Sequence, residues 1–565
     1  MHSNTSRRTF VKGLAVGGLL GGLGLWRTPV WAVTSPGEPQ VLAGTDFDLF
    51  IGETPVNITG NPRTAMTING GIPGPLLRWR EGDTVTLRVK NKLNADTSIH
   101  WHGILLPANM DGVPGLSFHG IEPGGMYVYQ FKVRQNGTYW YHSHSGLQEQ
   151  SGVYGPLVID AKEPEPFQYD RDYVVMLTDW TDENAVDLMK TLKKQSDYYN
   201  YNKRTVGDFI HDVSEKGWGS TVVDRKMWAE MKMNPTDLAD VSGATYTYLM
   251  NGQAPNSNWT GVFRPGEKLR LRFINGSAMT YFDVRIPGLK MTVVAADGLH
   301  VKPVSVDEFR IAVAETFDVI VEPTQVAYTL FAQSMDRTGY ARGTLVAKVG
   351  LSAPVPPLDP RPLVTMDDMG MGGMDHGSMA GMDHSAMAMP GMQSHPETEK
   401  DNPLVDMQAM TTTPKLDDPG LGLRNNGRRV LTYSDLRSTF EDPDGREPSR
   451  TIELHLTGHM EKFAWSFNGV KFSDAEPVRL KYGERVRVVL VNDTMMTHPI
   501  HLHGMWSDLE DENGEFMVRK HTIDMPPGSR RSYRVTADAL GRWAYHCHLL
   551  YHMEMGMFRE VRVEE

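Results

Sequence analysis

The stretch GERVRVVLVN at positions 483–492 alternates apolar and polar side chains, as expected for a strand with one buried face. Two further stretches match it, GDTVTLRVKN at 82–91 and GEKLRLRFIN at 266–275. An Asn-Gly pair begins 13, 15 and 15 residues before the three copies. Because such self-similarity marks a repeated structural unit, the sequence predicts an all-β chain with three copies of one β-sandwich domain.

A second repeat joins only the first and last copies. GTYWYHSH at 137–144 parallels GRWAYHCH at 541–548, and a Pro-Gly pair precedes each. The middle copy should have its equivalent near YTLFAQSMD at 328–336, which holds no histidine. The middle domain is therefore interpreted as a spacer that lacks the histidine-bearing strand.

The domain boundaries follow from these repeats and from the composition between them. We predict four segments: domain 1 at 45–165, domain 2 at 166–350, a Pro/Met-rich linker at 351–428 and domain 3 at 429–565. In domain 2, residues from about 182 to 240 are polar and helix-compatible and predict a helical insertion. The linker holds nine methionines between positions 366 and 392, with glycine and serine in the gaps, which predicts a flexible loop.

Four clusters hold ten of the 20 histidines and the single cysteine. They are HWHG at 100–103, HSH at 142–144, HPIHLHG at 498–504 and HCHLLYH at 546–552. One His-x-His pair is a weak signal for a metal. Four clusters, two of them on the same strand of repeated domains, are not the pattern of ordinary core histidines and predict metal binding.

The last cluster contains the only cysteine, Cys547, which cannot form an intramolecular disulfide. Successive side chains of a strand point to opposite faces, so His546 and His548 should face one way and Cys547 the other. One short segment can therefore contact two different metal centres.

The order of these motifs resembles the multicopper oxidase family over the whole chain after its N-terminal segment. The resemblance implies three cupredoxin-like Greek-key β-sandwich domains and four copper ions. It implies a type 1 copper bound by His498, Cys547, His552 and an axial Met557. It further implies type 2 ligands His100 and His501, and type 3 ligands His102, His142, His144, His503, His546 and His548.

The residue chemistry agrees with this division. A thiolate with two imidazoles and a weak thioether is the ligand set of an electron-transfer copper. Eight imidazoles over three metals leave positions open for O2. The resemblance implies that Cys547 passes electrons from a substrate to the histidine-bound coppers, which reduce O2 to water. An axial Met557 favours a modest type 1 potential, which suits an easily oxidised substrate better than a recalcitrant phenol.

Two carboxylates are candidates for a proton relay. Asp111 follows the first histidine cluster, where the family places an acid near the type 2 copper. Glu554 lies two residues after His552, whereas some family members carry an acid directly after this histidine, where this chain has Met553. The alternative for each is an ordinary solvated carboxylate.

The methionines bear on the substrate. Thioethers select Cu(I), and the linker repeats Met-x-x-Met spacing; its candidate ligands are Met374, Met379 and Met382. Met495 and Met496 precede His498, and the resemblance implies that substrate Cu(I) binds near them with Asp493, although Thr494 stands where an acid is expected. The alternatives are core packing for Met495 and Met496 and a compositionally biased linker for the other methionines.

The favoured function is a cuprous oxidase that converts Cu(I) to Cu(II) in bacterial copper resistance, with periplasmic copper-binding proteins as further partners. One alternative is a laccase-type oxidase whose reductant is a small phenol or aromatic amine. Another is a copper-sequestering protein, although storage alone does not need a type 1 site joined to a histidine cluster. Three repeats and two extra histidine clusters disfavour a two-domain nitrite reductase.

The N-terminus bears on the compartment. SRRTFVK at 6–12, a Gly-rich apolar run at 13–25 and VWA at 30–32 resemble a twin-arginine export signal over residues 1–32, which implies a periplasmic protein. The apolar run is too short and glycine-rich for a stable membrane span. The formal net charge of -12 argues against nucleic acid as a partner.

Overall fold

The computed structural model describes residues 39–372 and 392–565. These residues form six β-sheets, and the all-β prediction is confirmed. The predicted signal at 1–32 and the candidate ligands Met374, Met379 and Met382 lie outside the described residues. No helix in the described ranges is long and apolar enough to cross a membrane.

The first repeat unit consists of a five-stranded sheet in the order β1-β4-β9-β8-β6 and a four-stranded sheet in the order β3-β2-β5-β7. Its strands are β1 (Val41–Ala43), β2 (Asp46–Val56), β3 (Arg63–Ile68), β4 (Leu76–Arg80), β5 (Thr84–Asn91), β6 (His100–His102), β7 (Met126–Lys132), β8 (Gly137–His142) and β9 (Tyr154–Asp160).

The second unit has sheets in the orders β11-β10-β13-β18-β15-β16 and β12-β20-β19-β14-β17. Its strands are β10 (Arg171–Thr181), β11 (Tyr246–Met250), β12 (Trp259–Val262), β13 (Leu269–Asn275), β14 (Phe282–Arg285), β15 (Met291–Ala296), β16 (Leu299–Val306), β17 (Glu308–Ile311), β18 (Thr316–Val321), β19 (Ala327–Ser334) and β20 (Tyr340–Val346).

The third unit repeats this arrangement, with sheets in the orders β22-β21-β24-β29-β26-β27 and β23-β31-β30-β25-β28. Its strands are β21 (Arg450–His459), β22 (Ala464–Phe467), β23 (Val478–Lys481), β24 (Arg485–Asn492), β25 (His498–Leu502), β26 (Ser507–Glu510), β27 (Phe516–Lys520), β28 (Thr522–Met525), β29 (Arg530–Thr536), β30 (Gly541–Cys547) and β31 (Phe558–Glu564).

The three matched stretches form equivalent strands, β5, β13 and β24. Each pairs in parallel with the first long strand of its unit (β2, β10 or β21) and antiparallel with a later one (β7, β18 or β29). The strands β8, β19 and β30 are likewise equivalent, because each lies between the last strand of its unit and the strand β6, β14 or β25. The second repeat thus places its histidines on equivalent strands of units one and three.

The recurrence of an Asn-Gly pair in all three copies has a local physical cause. The three asparagines adopt left-handed backbone angles, with φ of 53°, 50° and 52° at Asn69, Asn251 and Asn468. Asparagine tolerates this conformation better than most residues, and the glycine that follows also has positive φ. Each asparagine Oδ1 accepts a backbone N–H from the first long strand of its unit. The turn therefore fixes the register of that strand.

Three helices lie between the paired strands β10 and β11: α1 (Ala185–Lys194), α2 (Val206–Lys216) and α3 (Trp218–Glu230). The Asn184 side chain caps α1, and a Thr205–Asp208 capping box begins α2. A fourth, short helix α4 (Leu550–Glu554) follows β30. The segment after α3 reaches the third unit, as described below.

One end of the Met-rich segment is packed rather than free. Met369 is fully buried, and Met366 and Met371 pack against the main hydrophobic core. The flexible loop predicted from composition therefore does not include these three methionines, because their thioether side chains find apolar neighbours.

Candidate metal centres

Cys547, His498 and His552 meet at one buried point of the third unit. Cys547 ends β30, His498 begins β25 and His552 lies on α4. The Cys547 Sγ atom lies 3.5 Å from His498 Nδ1 and 4.0 Å from His552 Nδ1, and the two Nδ1 atoms are 3.2 Å apart. Three ligand-type atoms thus converge in the manner that a single metal ion requires.

Contacts on the far side of each ring fix this orientation. His498 Nε2 lies 2.7 Å from Thr494 Oγ1, and His552 Nε2 lies 2.7 Å from Asp240 Oδ2. Trp465 stacks on His552 with ring centroids 3.8 Å apart. Outer contacts of this kind are typical of metal-binding histidines, because they fix the tautomer and the ring angle.

Met557 is fully buried beside this point. Its carbonyl oxygen accepts the Cys547 N–H at 3.1 Å, and its own N–H donates to the His552 carbonyl oxygen at 3.1 Å. The backbone of the predicted axial residue is therefore tied to two of the other predicted ligands.

Eight further histidines gather between units one and three. Strand pairing sets His100 opposite His142 and His501 opposite His546. The cluster consists of His100, His102, His142, His144, His501, His503, His546 and His548, of which only His144 is half-buried and the rest are buried.

The closest approaches within this cluster join the two units. His546 Nε2 lies 3.0 Å from His503 Nε2 and 3.3 Å from His144 Nε2. The rings of His102 and His548 lie 4.9 Å apart, centroid to centroid. His546 and His548 thus join the cluster while Cys547 faces the other point, in the alternation expected of a strand.

Carboxylates and carbonyl groups hold the outer nitrogens of these rings. Asp111 Oδ2 lies 2.9 Å from His503 Nδ1, and the Asp111 carbonyl oxygen lies 2.8 Å from His100 Nδ1. Glu149 Oε2 lies 2.6 Å from His142 Nδ1. Asp111 therefore contacts histidines of both units.

The residues fit metal ions. Within the described residues, several buried nitrogens have no hydrogen-bond partner: Nε2 of His100, His142, His501 and His548, and both ring nitrogens of His102. Burial lowers the pKa of His102, His142, His501 and His548, so these four rings are neutral and can act as ligands. Burial also raises the pKa of the Cys547 thiol, and a coordinated cation would hold it as the thiolate. Imidazoles and one thiolate suit copper.

Several residues that touch the ligands carry no signal in the sequence. Asp240 and Glu149 lie in segments without a metal-binding motif, and Thr494 occupies a position where an acid was expected. His521 is a lone histidine, yet its ring lies 4.7 Å from that of His102. Only the folded chain brings these residues to the centres.

The predicted substrate and relay residues have different surroundings. Met495 and Met496 are buried and lie three and two residues before His498 in the chain. The Asp493 carboxylate is instead bound by His455 Nδ1 at 2.6 Å and by the Ala409 N–H at 2.8 Å, so it belongs to another cluster than the one predicted. Glu554 is exposed on α4, and its role in proton transfer stays a prediction.

Comparison with known proteins agrees with this geometry. Three models described as multicopper oxidase match residues 51–164, 171–349 and 445–565. The chain therefore belongs to the multicopper oxidase family, whose members are oxidoreductases that use copper and O2.

The chain is similar over its full length to several curated relatives. It is 79% identical to a copper resistance protein A homolog of Pseudomonas syringae pv. tomato, with 100% of both chains covered. It is 73% identical to copper resistance protein A of Escherichia coli, with 99% of both covered.

Solved structures support the cupredoxin-like fold. Fet3p, described as a multicopper oxidase that functions in iron import, has a TM-score of 0.65 at 20% identity, covering 93% of this chain and 91% of that one. The laccase from Botrytis aclada has a TM-score of 0.61 at 21% identity, covering 93% and 88%.

Proposed function

We propose that the protein is a periplasmic oxidase that converts substrate Cu(I) to Cu(II) and reduces O2 to water in copper resistance. Four Cu(I) ions give four electrons, which with one O2 and four protons yield four Cu(II) ions and two waters. The observation that carries the proposal is the position of Cys547, whose two neighbours His546 and His548 belong to the histidine cluster. The names of the relatives support copper resistance as the setting.

We assign four copper ions to the two centres. Type 1 copper would be held by His498, Cys547, His552 and Met557, type 2 by His100 and His501, and the type 3 pair by the other six histidines of the cluster. When bound, these ions supply one-electron transfer at the type 1 site and multi-electron reduction of O2 at the cluster.

Protein groups supply the protons and orient the ligands. Asp111 Oδ2 faces His503 Nδ1 and its Oδ1 lies 3.3 Å from His100 Nδ1, so the carboxylate can hold a proton between the two rings. The exposed Glu554 makes no such contact and is the weaker relay candidate.

A cavity lined by Thr497, the residue before His498, favours Cu(I) as the substrate. Its volume is about 90 Å³, and its lining includes the thioethers Met335 and Met495 and the carboxylate Asp524. Thr497, which precedes His498, also lines it and hydrogen-bonds Asp524 at 2.8 Å. Four carboxylates and four basic side chains line the cavity in all, so the two soft thioethers are the feature that favours a cuprous ion over a phenol ring.

The twin-arginine signal at 1–32 supports export, and this part of the proposal rests on the sequence. A protease-protection and fractionation assay with the two arginines, Arg7 and Arg8, changed to lysine tests it. Mature protein in the periplasm of cells with both lysines would refute twin-arginine export.

Oxygen uptake by the four-copper protein tests the reaction. We expect uptake with Cu(I), and a rise in the KM for Cu(I) of at least tenfold in the double variant Met335→Leu, Met495→Leu. The variant Met176→Leu, at a fully buried methionine away from the cavity, is the matched control. Uptake with a phenol but not with Cu(I) would instead support a laccase, and uptake with neither would support sequestration.

A further inference from the structure

Four titratable side chains meet in a second place, apart from the two centres above. His395, Glu399, His455 and Asp493 offer ligand-type atoms that all lie within 4.8 Å of one another. His395 and Glu399 belong to the segment between units two and three, whereas His455 lies on β21 and Asp493 follows β24. The cluster therefore joins the linker to the third unit.

The distances suit one small metal ion. His455 Nδ1 lies 2.6 Å from Asp493 Oδ2, and His395 Nδ1 lies 3.3 Å from the same oxygen. Glu399 Oε2 lies 3.4 Å from His395 Nδ1, and Glu399 Oε1 lies 3.7 Å from His455 Nδ1. Ligand bonds of about 2.0–2.2 Å place neighbouring ligand atoms about 3 Å apart, so these four atoms can surround one ion with small adjustments.

Each ligand has its other polar atom held from outside. His395 Nε2 lies 3.1 Å from the Ala409 carbonyl oxygen, and His455 Nε2 lies 3.2 Å from Glu453 Oε1. Metal-binding histidines make this contact almost always, since it presents the opposite nitrogen to the metal. Both rings therefore present Nδ1 to the centre of the cluster.

The two carboxylates are anchored in the same manner. Asp493 Oδ1 accepts the Ala409 N–H at 2.8 Å, and Glu399 Oε2 accepts from Gln408 Nε2 at 2.9 Å. Glu399 is only 3% exposed, and its Oε1 atom has no hydrogen-bond partner among the described residues. This Oε1 atom lies 3.7 Å from His455 Nδ1, and a buried carboxylate oxygen that faces an imidazole without a hydrogen bond indicates a missing partner.

The charges of the cluster are compatible with a cation. Within the described ranges, the ion pairs of Glu399 and Asp493 are with histidines alone. Burial lowers the pKa of His395 and His455, but the hydrogen bonds and charges of the carboxylates outweigh it and raise both, so imidazolium groups balance the carboxylates when no metal is bound. A divalent ion that displaces the two protons keeps the cluster electrically balanced.

We propose that His395, Glu399, His455 and Asp493 bind one Cu(II) ion in addition to the copper ions of the two centres. Two imidazoles and two carboxylates are harder than the thioethers around His498, and among divalent first-row ions this N/O set binds Cu(II) most tightly. Asp493 adjoins Thr494, which contacts His498 Nε2, so the added ion lies one residue from the outer contact of the type 1 site.

The test uses the full four-copper protein, washed with a chelator and then titrated with CuSO4 under air against a competing chromophoric chelator. We expect one further Cu(II) ion, with an electron paramagnetic resonance signal split by two nitrogens. Glu399→Gln should weaken this binding at least tenfold, and His455→Gln should remove one nitrogen from the splitting. His211→Gln, at an exposed histidine of α2, should change neither measurement.

Folding and the oxidase reaction are controlled separately. The blue absorption of each variant reports its fold, and His395→Gln, at the most exposed ligand, is the substitute where Glu399→Gln or His455→Gln loses that colour. Cys547→Ser protein, which lacks turnover under the proposed function, should still take up the added Cu(II). The proposal is overturned if the wild type takes up no further Cu(II). It is also overturned if the folded ligand variants take up Cu(II) as the wild type does and differ from it only in a lower unfolding temperature.

Discussion

Asp240 Oδ2 lies 2.7 Å from His552 Nε2, although 312 residues separate the two side chains. Both are fully or almost fully buried. Asp240 belongs to the second unit, which carries none of the predicted ligands and was interpreted as a spacer. That unit therefore supplies the carboxylate that contacts a histidine of the proposed type 1 site, and this contact forms only when units two and three are docked.

Replacing Asp240 should change the proposed type 1 site without removing one of its proposed ligands. A carboxylate that accepts the imidazole N–H raises the basicity of the ligand, which favours Cu(II) over Cu(I). We expect Asp240→Asn to raise the type 1 reduction potential and to lower copper affinity or turnover about 10- to 100-fold. A redox titration of the blue absorption measures the potential. Asp187→Asn, at an exposed carboxylate on α1 of the same unit, should leave the potential unchanged, and an equal shift in both variants would contradict the assignment.

The sequence was sufficient where the signal is local. The alternation at 483–492 predicts β24, and the spacing of His546, Cys547 and His548 on one strand predicts that they face two centres. Both follow from the two-residue period of a strand, which needs no knowledge of the tertiary structure.

The contacts that complete the sites were not predictable in this way. Asp240 lies in a polar segment after α3, where a carboxylate is ordinarily solvated, and its contact depends on the docking of two units. His395 and His455 are single histidines 60 residues apart, without the His-x-His spacing that marks the other clusters. The composition around Met369 is that of a flexible segment, yet Met369 is fully buried because the fold packs apolar residues from elsewhere in the chain against it.

Cys547→Ser tests the division between the two centres. The thiolate is the ligand expected to give the blue absorption, so we expect this change to abolish both the colour and the turnover while the type 2 signal persists. Absorption and electron paramagnetic resonance spectra measure the two effects. Ser143 occupies the equivalent position on the first-unit strand, and Ser143→Ala should keep the blue colour. Retained colour in Cys547→Ser protein would refute the type 1 assignment.

An ion-pair network at the boundary of the first two units should depend on pH. Burial raises the pKa of Glu165, but the His300 hydrogen bond and the Arg270 charge outweigh it and hold the pKa to about 2. Because this value lies below the ordinary 4.5, the stabilisation is complete above pH 4.5 and is lost as the pH falls through 2.

Glu165→Gln should therefore lower the free energy of unfolding by up to about 3 kcal/mol at neutral pH, since each pKa unit corresponds to about 1.4 kcal/mol. The difference in unfolding temperature between wild type and variant should narrow as the pH is lowered from 5 towards 2. The exposed pair of Glu322 with Lys268 is the control, and Glu322→Gln should change the stability by less than about 1 kcal/mol at any pH. A difference in unfolding temperature between the wild type and Glu165→Gln that does not depend on pH would contradict the pKa argument.

Asp111 and Glu554 can be separated as proton carriers by their surroundings. Asp111 contacts His503 Nδ1 at 2.9 Å and His100 Nδ1 at 3.3 Å, whereas Glu554 is exposed and contacts neither ring. We expect Asp111→Asn to lower turnover about 10² to 10⁴-fold, the range for loss of a proton-transfer group, because an amide cannot carry a proton between the rings. Glu554→Gln should stay within about twofold of the wild type, since solvent can replace an exposed carboxylate.

Oxygen uptake in H2O and D2O measures both rates, and copper content controls for lost metal. A larger loss in Glu554→Gln than in Asp111→Asn, at equal copper content, would move the relay from the cluster to the surface of α4.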